Sequence, residues 1–393
     1  MKITVKIYGD EAGFASRYAK RLKKVRDVEH EIDVETISPP DFRTQMEVLA
    51  ERQALMRKKR RDSPHNSKVE IDKTGIFVVD YDLIKTYPGA KFLTAEDVCY
   101  LVRCCSDCGL LLGLNQYGHN PFDLTLSGHP ESYADLNIGE RQLDNAALWS
   151  GDAEFRPWSW PMLPEYLESF RSKIDDVRSN LDSPILKIIG MERAERFLSK
   201  AARSFLGLEP RTVTPRQFAT KSNNGFRPKD RYPSPLEIAR VTAARISKWL
   251  ERMVLSGQEV LVDAPHLVSR FPSLLTEPRG KIESWNKTTQ LTSPNKLPID
   301  HKLIEDFRFK KDHWVSRPVW FWNELVGFEG INEIAEPLER SEVPFVFAED
   351  ASRFFKRSQC REFVAELDSP YLRRFVRYFR GLGIDYAPRT SLG

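Results

Sequence analysis

An α/β fold is predicted for the first part of this chain: a doubly wound, mostly parallel sheet, followed by a largely helical α+β region. Three observations predict it. Strand-like segments recur at Ile3–Tyr8, Ile76–Val79 and Leu110–Leu114, and the apolar run Ile76–Val79 is of the kind that a strand buried on both faces requires. Segments with helical spacing separate them, and strands alternating with helices imply right-handed parallel crossovers. The Ile76–Val79 run leads directly into two carboxylates, Asp80 and Asp82. Ligands of open α/β sheets bind beyond the carboxyl ends of the strands, so an acidic pair there suits Mg²⁺ or a phosphoryl group. The same two residues would equally well end the strand and cap a turn.

In chain order, ITVKIY (3–8) is the first strand, followed by Gly9-Asp10-Glu11 and a helix from Ala12 to Val25. IDVETI (32–37) is the second strand. Phe42–Arg61 is read as a helix with Phe42, Met46, Leu49 and Met56 near one face, ending in five successive basic residues, Arg57 to Arg61. After the third strand, Thr94 and Asp97 are spaced as an N-cap pair for a helix reaching Cys108. LLLGL (110–114) is a fourth strand, and a fifth is expected near Tyr133–Ile138.

Residues 1–150 are therefore read as one α/β domain. Residues 151–164 hold RPWSWPMLP, whose two tryptophans and three prolines predict a packed connector. Residues 165–393 are read as an α+β domain, mostly helical. Ser234-Pro235-Leu236-Glu237 combines a capping box with proline at the first helical position, and the helix is expected to reach Leu255. Strands are expected at Glu259–Val262, Val319–Trp322 and Val343–Phe347, a helix from Asp350, and a last helix at Tyr371–Phe379.

With 60 basic and 56 acidic residues the net charge is only +4, so no global affinity for polyanions follows. No apolar run approaches the roughly 20 residues that span a bilayer. The opening MKITVKIYGDE meets charge too early for a secretory leader. A cytoplasmic protein with no membrane association is expected. Cys99, Cys104, Cys105 and Cys108 crowd one predicted helix, poor geometry for several disulfides. Cys105 and Cys108 form a CxxC, but a closed zinc site needs four ligands. His119 and His129 would have to complete it, and packing on a helix face is the favoured account.

The carboxylates carry the functional expectation. Asp10 and Glu11 follow the first strand; Asp80 and Asp82 follow the third. If those strands are neighbours, the acids converge on one edge as hard oxygen ligands for Mg²⁺. Gly9-Asp10-Glu11 and Val78-Val79-Asp80 resemble the receiver domain of response regulators, over about the first 150 residues. That resemblance implies a flavodoxin-like, receiver-like sheet, Mg²⁺ held by Asp10 and Glu11, and Asp80 as phospho-acceptor. It departs from the family where LLLGL is followed by Asn115 and where no lysine lies between Lys91 and Lys173; Arg141 would have to substitute. These departures favour a degenerate receiver whose domain docks or relays.

A second class is a Mg²⁺-dependent nuclease or phosphodiesterase that resembles a Toprim site, with Glu11, Asp80 and Asp82 as ligands. The leading expectation is a cytoplasmic prokaryotic regulatory or signal-transduction protein, associated with stress or antiviral defence. Its C-terminal domain would serve output or partner binding, in a homodimer or a complex with a second protein. A structural adaptor without chemistry is the third class. Three further groups of residues are read as ordinary structure: the polar stretch Asn115–Glu140, the acid–histidine pairs Asp263/His266, Asp300/His301 and Asp312/His313, and the basic Arg373–Arg380 stretch. A nucleic-acid contact by Arg57–Arg61 is the alternative to a solvated face.

Overall fold

The computed structural model describes residues 2–25, 30–58, 68–83, 94–115, 132–151, 153–207, 209–290, 294–329, 345–364 and 373–377. Strands β1 (Lys2–Tyr8), β2 (Glu31–Thr36), β3 (Ile76–Asp80), β4 (Leu110–Asn115) and β5 (Leu136–Gly139) form one sheet in the order β2-β1-β3-β4-β5. Every pairing in it is parallel. Helices α1 (Phe14–Leu22), α2 (Pro39–Met56) and α3 (Ala95–Cys105) lie between the strands.

The alternation along β3 explains why helices cover both faces. Ile76 and Val78 join one apolar cluster with Phe14 and Leu22 of α1, whereas Phe77 and Val79 join another with Phe42 and Leu49 of α2 and Val98 and Val102 of α3. Side chains of successive strand residues point to opposite faces, so a strand apolar at every position needs cover on both. Tyr8, at the end of β1, stacks on Phe42 with ring centroids 3.6 Å apart.

Beyond the sheet come helices α4 (Leu163–Arg178), α5 (Ile185–Ile188), α6 (Lys200–Leu206), α7 (Pro215–Lys221), α8 (Pro235–Trp249) and α9 (Ala264–Arg270). Helix α8 starts with the expected capping box, Ser234 accepting from the Glu237 N–H. It passes into a π turn and a 3₁₀ turn before Gln258. Leu167 of α4 packs beside Gly75 and Gly109, next to the starts of β3 and β4, and the first cluster also takes in Leu163, Phe170, Trp249, Leu261, Trp320 and Phe347. β6 (Leu261–Asp263) pairs antiparallel with β7 (Val319–Phe321). β8 (Phe345–Ala348), β9 (Arg353–Lys356), β10 (Arg361–Val364) and β11 (Arg373–Val376) form a four-stranded sheet in the order β10-β11-β8-β9.

Two sequence expectations are corrected in this last sheet. The helix predicted from Asp350 is a turn, with Ser352 at φ 46°, followed by β9 antiparallel to β8. Phe354 of β9 is buried while its neighbour Arg353 is exposed, the period of a half-covered strand. Within the predicted Tyr371–Phe379 helix, Arg373–Val376 form β11, paired antiparallel with β10 and parallel with β8. Residues 371, 372, 378 and 379 lie outside the described residues. Smaller differences are in extent: α2 ends at Met56 and α3 at Cys105. No helix among the described residues is long and apolar enough to cross a membrane.

Candidate functional site

The parallel register carries the ends of β1 and β3 to the same edge of the sheet, Tyr8 opposite Val79. Asp10 and Glu11 therefore leave the sheet beside Asp80. Gly9 is needed there, because a Cβ at this position would collide with the Phe14 ring. The close approach holds the Asp10–Glu11 turn tight against α1, where the Phe14 N–H donates to the Glu11 carbonyl at 3.1 Å.

Asp80 is the last residue of β3 and is fully buried. Burial raises its carboxyl to about 7, and the charges of Asp10 and Glu11 add to the effect; backbone N–H groups of Asp82 and Tyr81 oppose it. Asp80 is thus a carboxyl that holds its proton near neutrality while two others face it. Asp82 takes a different place. It bridges antiparallel to Thr94, and what it contributes to Asp80 is its backbone N–H. Between them, the Tyr81 N–H donates to the Leu114 carbonyl at 3.0 Å and the Tyr81 carbonyl accepts from Ala95 at 2.9 Å. The strand end is thereby tied to β4 and to the first turn of α3.

As placed, no three His, Cys, Asp or Glu side chains among the described residues stand close enough to hold a metal ion. The donor set nonetheless fits Mg²⁺ in kind. It is all carboxylate oxygen, the hard donor that Mg²⁺ takes.

The remaining candidates among the described residues lie apart from this edge. Cys99, Cys104, Cys105 and Cys108 are free, buried and part of the cluster between α3 and the sheet. His119 and His129 lie outside the described residues, as do Lys59, Arg60 and Arg61 of the basic run. Asp135 is buried against the Arg103 guanidinium and accepts the Leu111 N–H at 2.7 Å, and Asn137 donates to Ser132 Oγ at 3.0 Å. His301 meets the Leu297 carbonyl at 3.1 Å, and His313 meets Asp176 at 2.7 Å.

Asp263 and His266 do form a pair. Asp263 ends β6 and caps α9, and its Oδ1 lies 2.6 Å from His266 Nδ1. The other ring nitrogen, Nε2, lies 3.2 Å from Glu349 Oε1. Glu349 also accepts from Trp158 Nε1 at 2.8 Å and Arg374 Nη1 at 2.9 Å. The i, i+3 spacing signalled the first contact; nothing local signals Glu349 or Arg374, which reach the histidine through the C-terminal sheet. No family model, curated protein or solved structure matches this chain.

Proposed function

We propose that residues 1–150 are a receiver-like regulatory module whose carboxylate edge binds Mg²⁺ and changes state with the charge on Asp80. The observation that carries this reading is the placement of Asp80 at the end of the middle strand under the influence of Asp10 and Glu11. The strand order 2-1-3-4-5 supports it, being the flavodoxin-like order whose ligands sit at the carboxyl ends of the strands. Bound Mg²⁺ would supply the positive charge that lets Asp80 ionise beside two other carboxylates. Asp10 and Glu11, both partly exposed, have room to turn toward it. The change would pass to α3 through the Tyr81–Ala95 hydrogen bond, and from α3 to α8, which packs on it. Residues 165–393 would then serve output or docking to a protein partner or a second copy.

Calorimetric titration with Mg²⁺, and intact-mass measurement after incubation with acetyl phosphate, test the module in wild type and Asp80→Asn. Mg²⁺ binding at least tenfold weaker in Asp80→Asn is expected. A phosphoryl adduct lost in the variant makes the switch an active receiver; Mg²⁺ binding alone makes it a docking module. Identical Mg²⁺ titrations for the two proteins would sink the reading. Metal-dependent cleavage of DNA or RNA, abolished in the variant, would replace it with a phosphodiesterase.

A further inference from the structure

A small cavity lies far along the chain from the carboxylate edge, where the 155–160 segment crosses the turn after β8. The Arg156 and Trp158 N–H groups donate to the Asp350 and Glu349 carbonyls at 2.9 and 2.8 Å and fix that crossing. Arg156, Trp158, Trp160, Asp263, Thr288 and Arg317 are among its lining residues. Three polar atoms on this lining are buried and have no hydrogen-bond partner among the described residues: Arg317 Nη2, Trp160 Nε1 and Asp263 Oδ2. Each belongs to a side chain otherwise held in place. Arg317 Nε donates to Ser316 Oγ at 3.2 Å, its guanidinium lies over Trp158 at 5.2 Å, and its side chain is 8% exposed. Trp160 is set edge-on to Phe155. Asp263 Oδ1 is engaged by His266, which leaves Oδ2 at 3.7 Å from Arg317 Nη1, an ion pair too long for a hydrogen bond.

The charges decide what would fit. Burial resists ionisation of Asp263, but His266 and Arg317 outweigh it and hold the carboxyl below its ordinary value. Asp263 is therefore an acceptor only, on a lining that also carries two unmatched donors, one of them a guanidinium. The unmatched Arg317 guanidinium donor gives this wall a place for an anion's oxygen. A ligand that satisfies all three atoms must bring acceptor oxygens for Arg317 and Trp160 and one proton for Asp263. Leaving such buried groups unmatched costs more than a neutral contact gains.

We propose that this cavity is a binding site for inorganic hydrogen phosphate, its oxygens taken by Arg317 Nη2 and Trp160 Nε1 and its O–H donated to Asp263 Oδ2. At pH 8 hydrogen phosphate keeps a proton, whereas sulfate and the methyl phosphate dianion have none to donate. Asp263 would repel both.

Isothermal titration of the full chain at pH 8 with sodium phosphate, sodium sulfate and methyl phosphate tests this. Phosphate is expected to bind one per chain, with sulfate and methyl phosphate at least tenfold weaker. Trp160→Phe keeps the ring and removes the N–H; phosphate affinity should fall about tenfold. Arg317→Gln should weaken it more. Asp263→Asn, if it folds, should lose the preference, since an amide can donate to sulfate. Circular dichroism confirms that each variant is folded. No heat from wild type at millimolar phosphate overturns the proposal. So does equal binding of sulfate, which marks a general anion site, or an unchanged affinity in folded Trp160→Phe.

Discussion

Tyr100 donates its hydroxyl hydrogen to the Asp230 carboxylate at 2.6 Å, joining α3 to a loop 130 residues further along the chain. Asp230 is buried, and also accepts from Gln53 Nε2 and Arg57 Nε, at and just past the end of α2, both at 2.9 Å. The Tyr100 oxygen in turn accepts the Arg227 N–H at 2.9 Å. One carboxylate therefore binds two helices of the first sheet to the segment leading into α8. Asp230→Ala leaves a buried hydroxyl and an arginine without their acceptor, and is expected to cost about 3 kcal/mol. Tyr100→Phe removes one of three donors to Asp230 and should cost about 1–2 kcal/mol. Urea unfolding of both variants gives the ranking. A Tyr100→Phe loss equal to or above that of Asp230→Ala contradicts the central place of the carboxylate.

The Asp80 carboxyl sets a pH dependence of definite sign. Its folded value, about 7, lies above the unfolded value near 3.8, so the folded chain keeps a proton that the unfolded chain loses. The stability this contributes is fully present below about pH 4 and is lost as pH rises through about 7. Asp80→Asn cannot ionise. The variant should match wild type near pH 4 and exceed it at pH 8 by up to about 4 kcal/mol. Mg²⁺ at pH 8 should stabilise wild type more than the variant. Urea unfolding at both pH values, with and without Mg²⁺, checks it. A stability difference that does not vary with pH would mean Asp80 titrates normally.

The first sheet is legible in the sequence because its central strands, β3 and β4, are apolar at nearly every position and acids fall at or just past the ends of β1 and β3. Ile76–Asp80 needs no distant partner to be read as a buried strand. The C-terminal sheet misleads for the opposite reason. Arg373–Val376 has only four residues, and its arginines and apolar residues fit a helical face as well as a strand. What decides is the burial of Arg374 against Glu349 and the Ser256 carbonyl, contacts made across the fold. Asp263 and His266 can be read as a pair from their spacing. The cavity beside them depends on Trp160 and Arg317, which are 157 positions apart in sequence and brought together only by the tertiary fold.

Burial also fixes the chemistry of the cysteines. It drives the thiols of Cys99, Cys104 and Cys105 well above their ordinary value and that of Cys108 up to about 12. Thiolates, not thiols, are alkylated. Cys360, partly exposed, is also pushed up to about 12. Native protein treated with iodoacetamide at pH 8 should incorporate label slowly, and first at Cys360; denatured protein should label at all five. Peptide mass mapping over a time course checks the order. Early labelling at Cys105 or Cys108 would point to a reactive CxxC.

Lys248 gives the last pH test, and its sign is the reverse of an acid's. It lies in α8, buried, with Nζ donating to the Ala134 carbonyl at 2.6 Å and the Ser132 carbonyl at 3.2 Å. Burial lowers its ammonium from 10.5 to about 7, and Arg245 and Arg252 lower it further, against the pull of Glu96 and Asp135. Between about pH 7 and 10.5 the unfolded chain binds a proton that the folded chain has released. Stability from this residue therefore rises with pH across that window, by up to about 5 kcal/mol. Lys248→Met fills the same space without titrating, although it leaves the two carbonyls with fewer donors. Its stability relative to wild type should be most favourable near pH 6 and should worsen steadily toward pH 10. Chemical unfolding of the pair at several pH values isolates the residue, because every other titrating group is common to both. A constant difference from pH 6 to pH 10 would show that Lys248 keeps its proton in the fold, with its two carbonyl acceptors compensating the burial in full.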